Sequence, residues 1–126
     1  MKLGYNFEFK IDEIASADGT TCVVIDESMW HQSRSFGPEQ IISGYPYGHG
    51  RYEDTVVDQI HETMQEFCLS GRDSGLEVRS AFGRWQQPRW IVPGCTLGDE
   101  LVQGLIKSLS RLNRVTVFVR NEAVKS

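Results

Sequence analysis

Polar and apolar residues alternate almost from the start of the chain. Tyr5, Phe7, Phe9 and Ile11 are separated by Asn6, Glu8, Lys10 and Asp12, the two-residue period of a strand with one buried and one wet face. Asp18-Gly19 is a tight-turn dipeptide. Cys22-Val23-Val24-Ile25 then predicts a second, more fully buried strand, so the chain opens with a hairpin. Glu27 to Gln32 reads as the start of a short helix. After it Gly37-Pro38, Gly44, Pro46, Gly48 and Gly50 interrupt any regular pattern, and a connection of that length in a small domain is often functional.

The period then changes. Val57, Ile60, Met64 and Phe67, flanked by Val56 and Cys68, predict an amphipathic helix over about residues 53–69. Glu53 and Asp54 fall in its first turn, where the helix dipole favours acids, and Gly71 is a plausible stop. Leu76 to Phe82 reads as a strand with Leu76, Val78 and Phe82 inward, and Arg89 to Val92 as its antiparallel mate. Thr96 followed by Asp99 resembles a capping box and starts a second helix. Its apolar face is Leu97, Leu101, Val102, Leu105, Ile106, Leu109 and Leu112. Val115, Val117 and Val119 with Phe118 form a closing strand apolar on both faces, which places it centrally in a sheet. The order is ββαββαβ. It predicts a single α+β domain over residues 1–126, with a mainly antiparallel sheet of about five strands and two helices on one face.

Composition narrows the class without naming a function. The 126 residues are 40% hydrophobic and 24% charged, which suits one globular core. No apolar run approaches the roughly 20 residues that span a bilayer. Residues 1–10 lack a signal-peptide core, so a cytoplasmic location is expected. Cys22, Cys68 and Cys95 are widely spaced with no CxxC pair. They read as reduced thiols rather than disulfides or zinc ligands. Net charge is −4. It divides unevenly, −8 over residues 1–71 and +4 over residues 72–126. If the halves stay apart, the acidic part can steer a basic partner; if the fold mixes them, the asymmetry fades. The acidic total argues against nucleic-acid binding.

Three groups could carry chemistry. Asp58, His61 and Gln65 share neighbouring helix faces and could form a metal site or proton relay, but no second His follows at HExxH spacing. A solvated helix flank is the simpler reading. Cys95, after Pro93-Gly94 and ahead of a helix, could be an activated nucleophile, or a plain structural thiol; no spacing selects a base for it. The glycine-rich stretch at 44–50 lacks the GxxxxGK[ST] phosphate-loop pattern. No catalytic residue, metal site or cofactor is therefore expected.

Two segments point instead to binding. Tyr45, Tyr47, His49, Arg51 and Tyr52 lie in one, and Arg84, Trp85, Arg89 and Trp90 in the other. Tyr, Trp and Arg dominate recognition hot spots because each joins a large rigid face to a polar tip. Each Arg could stack on an indole or clamp a carboxylate through two parallel hydrogen bonds, while a Trp turned to the core would serve packing alone. In size, acidity and aromatic loops the chain resembles bacterial toxin-immunity and inhibitor proteins. That likeness covers composition and length, not any motif, and assigns no residue a role. The expectation is a non-catalytic cytoplasmic protein that recognises a protein partner, a basic one by charge, through an acidic surface and these loops. The alternative is a small-molecule binder or small enzyme with an aromatic-lined pocket near residues 44–52 and 84–90. Self-association through the same surfaces is a third course.

Overall fold

The computed structural model describes residues 5–31, 54–82 and 87–124. The chain runs β1 (Tyr5–Ala15), β2 (Thr21–His31), α1 (Asp54–Asp73), β3 (Arg79–Phe82), β4 (Pro88–Pro93), α2 (Glu100–Ser110), β5 (Val115–Val119) and β6 (Glu122–Ala123). The strands form one sheet in the order β3-β4-β2-β1-β5-β6. All pairings are antiparallel except β1 with β5.

The β1–β2 hairpin is the frame. Its eleven-residue strands pair from Tyr5 opposite His31 to Ala15 opposite Thr21. Gly19 takes φ 86° in the turn, a conformation glycine adopts without steric cost. Asp18 Oδ1 accepts hydrogen bonds from the Thr20 N–H at 3.1 Å and its hydroxyl at 2.7 Å, which holds the Asp18 carboxyl below its ordinary pKa. β2 also corrects an expectation. Glu27 to His31 continues the strand and does not begin a helix. Pairing with β1 extends the ladder through these residues, and tertiary pairing overrides their weak local helical signal.

One face of this frame is the core. Phe7, Phe9 and Ile11 of β1, Val23 and Ile25 of β2, Val92 of β4 and Val117 of β5 are at most 2% exposed. Val56, Ile60, Met64 and Phe67 of α1 and Val102, Leu105, Ile106 and Leu109 of α2 cover them. Fully burying one such side chain contributes about 2 kcal/mol.

The ends of the elements show where local signals compete. α1 continues past Gly71, which is buried within it; a Cβ there would lie 3.0 Å from Val78 Cγ2. The helix ends instead at Asp73, ahead of Gly75 at φ 85°. There the Gly75 N–H donates to Arg72 O and the Leu76 N–H to Gly71 O, the paired bonds of a Schellman stop. α2 starts at Glu100 rather than Thr96. Asp99 is its N-cap, accepting the Leu101 N–H at 2.9 Å. The preceding Leu97 N–H donates to Glu13 Oε1 near the end of β1 at 2.8 Å, so this stretch is tied to the sheet before the helix begins.

The strand at Val115–Val119 lies inside the sheet and not at its edge, as its two apolar faces predict, although little lies beyond it. β5 is next to outermost, flanked by the two-residue β6. Val117 is fully buried, whereas Val115, Phe118 and Val119 are half-buried. β6 makes a sixth strand beyond the five expected. It returns through Arg120 and Asn121, both at positive φ (51° and 68°), as a two-residue hairpin requires. Of the strand expected over 76–82, residues 79–82 pair with β4, while Leu76 and Val78 pack on the core. Among the described residues no helix is long and apolar enough to cross a membrane.

Asp99→Ala removes the α2 cap. The expected cost is about 1 kcal/mol, a fall in melting temperature of roughly 3–5 °C with the native circular dichroism spectrum retained. An unchanged melting temperature would mean the cap is idle.

Candidate functional site

Neighbouring residues of a strand point to opposite faces, and in β4 this separates Arg89 from Trp90. Trp90 stands opposite Ile25 on the helix-covered face, while Arg89 stands opposite Asp26 on the other face. Arg89 Nε donates to Asp26 Oδ1 at 2.6 Å and Nη2 to Oδ2 at 3.2 Å. The two-pronged clamp expected of an Arg here exists, but the carboxylate it holds belongs to the same chain. That bond is the main cause raising the Arg89 pKa. Both side chains keep over a third of their surface in water, 40% for Arg89 and 35% for Asp26. The pair therefore contributes little to stability.

Trp90 borders a half-open pocket of about 430 Å³ between β4 and α1. Ile60, Met64 and Cys68, on successive turns of α1, form one wall, and Pro88 and Trp90 form the other. The exposed His61 and Gln65 bring polar groups to the outer side. The pocket follows from the helix's own periodicity. Residues 60, 64 and 68 slant along one side of α1, and the half-buried Trp90 packs beneath it against the core. Desolvation raises the Cys68 thiol pKa, with Arg72 pulling slightly the other way, so the sulfur lining the pocket is neutral near pH 7. A smaller furrow of about 320 Å³ lies between α1 and α2, where Thr63, Ser70, Gly104 and Ser108 are small.

Glu27 was not legible as a buried residue. It is fully buried, opposite Phe9 and one residue beyond Asp26 on the helix-covered face. The signal was its place in the alternation Val23, Ile25, Glu27, hidden once residues 27–32 are taken for a helix.

Of the other proposed site residues, Tyr45, Tyr47, His49, Arg51, Tyr52, Arg84 and Trp85 lie outside the described residues. Asp58, His61 and Gln65 are all exposed on α1, and His61 and Gln65 share the pocket. Among the described residues no three metal-ligating groups gather. Cys95 is 2% exposed and sits four residues before Asp99, the cap of α2. Burial first, then the nearby Asp99 carboxylate, raises its pKa. The activated-nucleophile reading of Cys95 is therefore overturned: the buried sulfur is protonated and donates to Thr96 O at 3.6 Å.

The sheet order interleaves the two charge halves, since β1 and β2 lie between β4 and β5. Acidity survives as a ridge on α1. Asp58, Glu62 and Glu66 are exposed at four-residue spacing, on the side of the helix away from Ile60 and Met64. No protein-family model, no curated protein and no solved structure matches this chain.

Raised thiol pKa values have two consequences. In iodoacetamide at about pH 7.5, peptide mass spectrometry should find Cys95 unmodified in the native protein and alkylated in denaturant. Rapid native alkylation of Cys95 would contradict its burial. The unfolded thiols, with an ordinary value of 9.0, lose their protons before the folded ones. The stability supplied by neutral Cys68 and Cys95 is thus complete below about pH 9 and is lost as pH rises through the folded values. The urea midpoint should decline across that range.

Proposed function

We propose that the chain is a non-catalytic binding protein that recognises a basic protein partner. An apolar side chain of the partner occupies the Trp90 pocket, and the α1 ridge steers its approach. One observation carries this reading: a half-open pocket walled by Ile60, Met64, Cys68, Pro88 and Trp90 shares α1 with an unbroken line of acids.

The physical division of labour is a familiar one. Recognition energy concentrates where an aromatic anchor site is desolvated, whereas exposed charges mainly set association rate and partner choice. Like charges four residues apart on a helix cost about 0.2–0.5 kcal/mol per pair. Asp58, Glu62 and Glu66 therefore weaken α1 slightly, and an attracted basic surface offsets that cost. Three free thiols suit a reducing compartment, and the proposal places the protein in the cytoplasm.

A second reading is favoured by the size of the pocket. Its volume of about 430 Å³ falls within the range of small-molecule sites, with His61 and Gln65 available to orient a ligand. Native mass spectrometry of protein purified from its own host separates the two. A companion protein supports the first reading; a retained small mass without one supports the second.

With the companion purified, calorimetric titration gives the decisive comparison. Trp90→Ala should weaken binding at least about tenfold, as loss of an aromatic anchor does. Asp58→Lys with Glu62→Lys should slow association and flatten its salt dependence. Equal affinity for wild type and Trp90→Ala would sink the pocket as the anchor site.

A further inference from the structure

The sheet face turned away from the helices carries an ordered pattern that the Trp90 pocket does not use. Across β3, β4, β2 and β1, one row reads Arg79, Ile91, Val24, Asp12. The next row reads Ala81, Arg89, Asp26, Lys10. Below them Pro93 pairs with Cys22. Val24 is only 7% exposed, although no described helix covers this face. Arg79 and Asp12, at the ends of their row, are exposed.

These rows are complementary to themselves. A two-fold axis drawn along the strands, midway between β2 and β4, carries β4 over β2 and β3 over β1 of a second copy. Ile91 then faces Val24, Arg79 faces Asp12 and Arg89 faces Asp26 of that copy, each contact occurring twice. In the central charged row the existing Arg89–Asp26 fork meets its own inverse, giving an alternating box of two cations and two anions. Stacked sheets lie about 10 Å apart and align within roughly 30°, a gap that arginine side chains can span. An isologous interface needs a patch that matches its own inverse, and the registers supply one in both apolar and charged positions.

We propose that the sheet face turned away from α1 and α2 is a homodimer surface, with copies packed face to face through β3, β4, β2 and β1. Only four strands meet, so the contact belongs with the small interfaces and its dissociation constant lies in the micromolar range. The Trp90 pocket is on the opposite face of the sheet. Dimerisation and partner recognition can therefore fail independently.

Sedimentation equilibrium over roughly 1–500 µM spans that range and should show a reversible monomer–dimer equilibrium. Asp12→Arg and Arg79→Asp each place two like-charge contacts in the dimer and should each weaken it by about tenfold or more. The chain carrying both changes restores opposite charges and should return to within about threefold of wild type. Asp12 is exposed, and the Arg79–Glu77 ion pair that Arg79→Asp removes is mostly in water, so circular dichroism and melting should stay close to those of the wild type in every variant. A monomer throughout the range overturns the proposal. So does a dimer indifferent to either single change, or one that the double change fails to restore.

Discussion

The register of the β1–β2 hairpin decides what every other element can do. Eleven consecutive residue pairs close on a turn fixed by Gly19 and by the bonds from Thr20 to Asp18. A slip of one residue would exchange the two faces of a strand. Phe9 and Ile25 would then meet water, and Glu8, Lys10 and Asp26 would meet the helices. The cost of that exchange is comparable with a typical folding stability, because each buried apolar side chain contributes about 2 kcal/mol. The outer strands inherit their facing from this hairpin, β4 by pairing with β2 and β5 by pairing with β1.

That inheritance explains why two adjacent residues with similar recognition credentials end in different roles. Once Val92 is locked opposite Val23, alternation fixes Trp90 inward and Arg89 outward. Trp90 thereby becomes one wall of a pocket completed by α1. Arg89 becomes half of an ion pair with Asp26, and its fork is already filled. A bidentate Arg engaged at 2.6 Å is a poor clamp for a passing ligand but a good fixed element of a charged surface, since its geometry is held without a partner.

How much of this could be read from the chain depended on whether a signal was local. The N-terminal strand, the Asp18-Gly19 turn and both helices were legible because their periodicities run over many residues. The Trp90–α1 pocket was half legible. Trp90 stood out by type, but Ile60, Met64 and Cys68 read only as a helix face, and nothing in sequence says which strand lies beneath it. β6 was hidden because Arg120-Asn121 is a weak version of a two-residue turn; arginine has no preference for positive φ. Gly71 misled as a stop because a glycine needed for close packing against Val78 looks the same as one needed for a left-handed cap. Cys95 looked like a helix-start thiol only while Thr96 was taken as the cap. The Leu97 bond to Glu13 moves the helix start to Asp99, and with it the dipole that would have activated the sulfur.

Glu27 shows what the hairpin's dominance costs. Its position demands an inward side chain, and the chain supplies a carboxylate among Phe9, Ile25 and their neighbours. Desolvating an ionisable group is expensive unless other groups compensate it, and Glu27 does interact with groups around it. Trp90 pairs with Ile25 on this same face, two positions along β2 from Glu27. The buried acid therefore lies toward the Trp90 end of the β2–β4 pairing and away from the end around Val23 and Val92. The register thus sets where Glu27 sits as firmly as where Phe9 and Ile25 sit, whatever the chemistry of the side chain it carries inward.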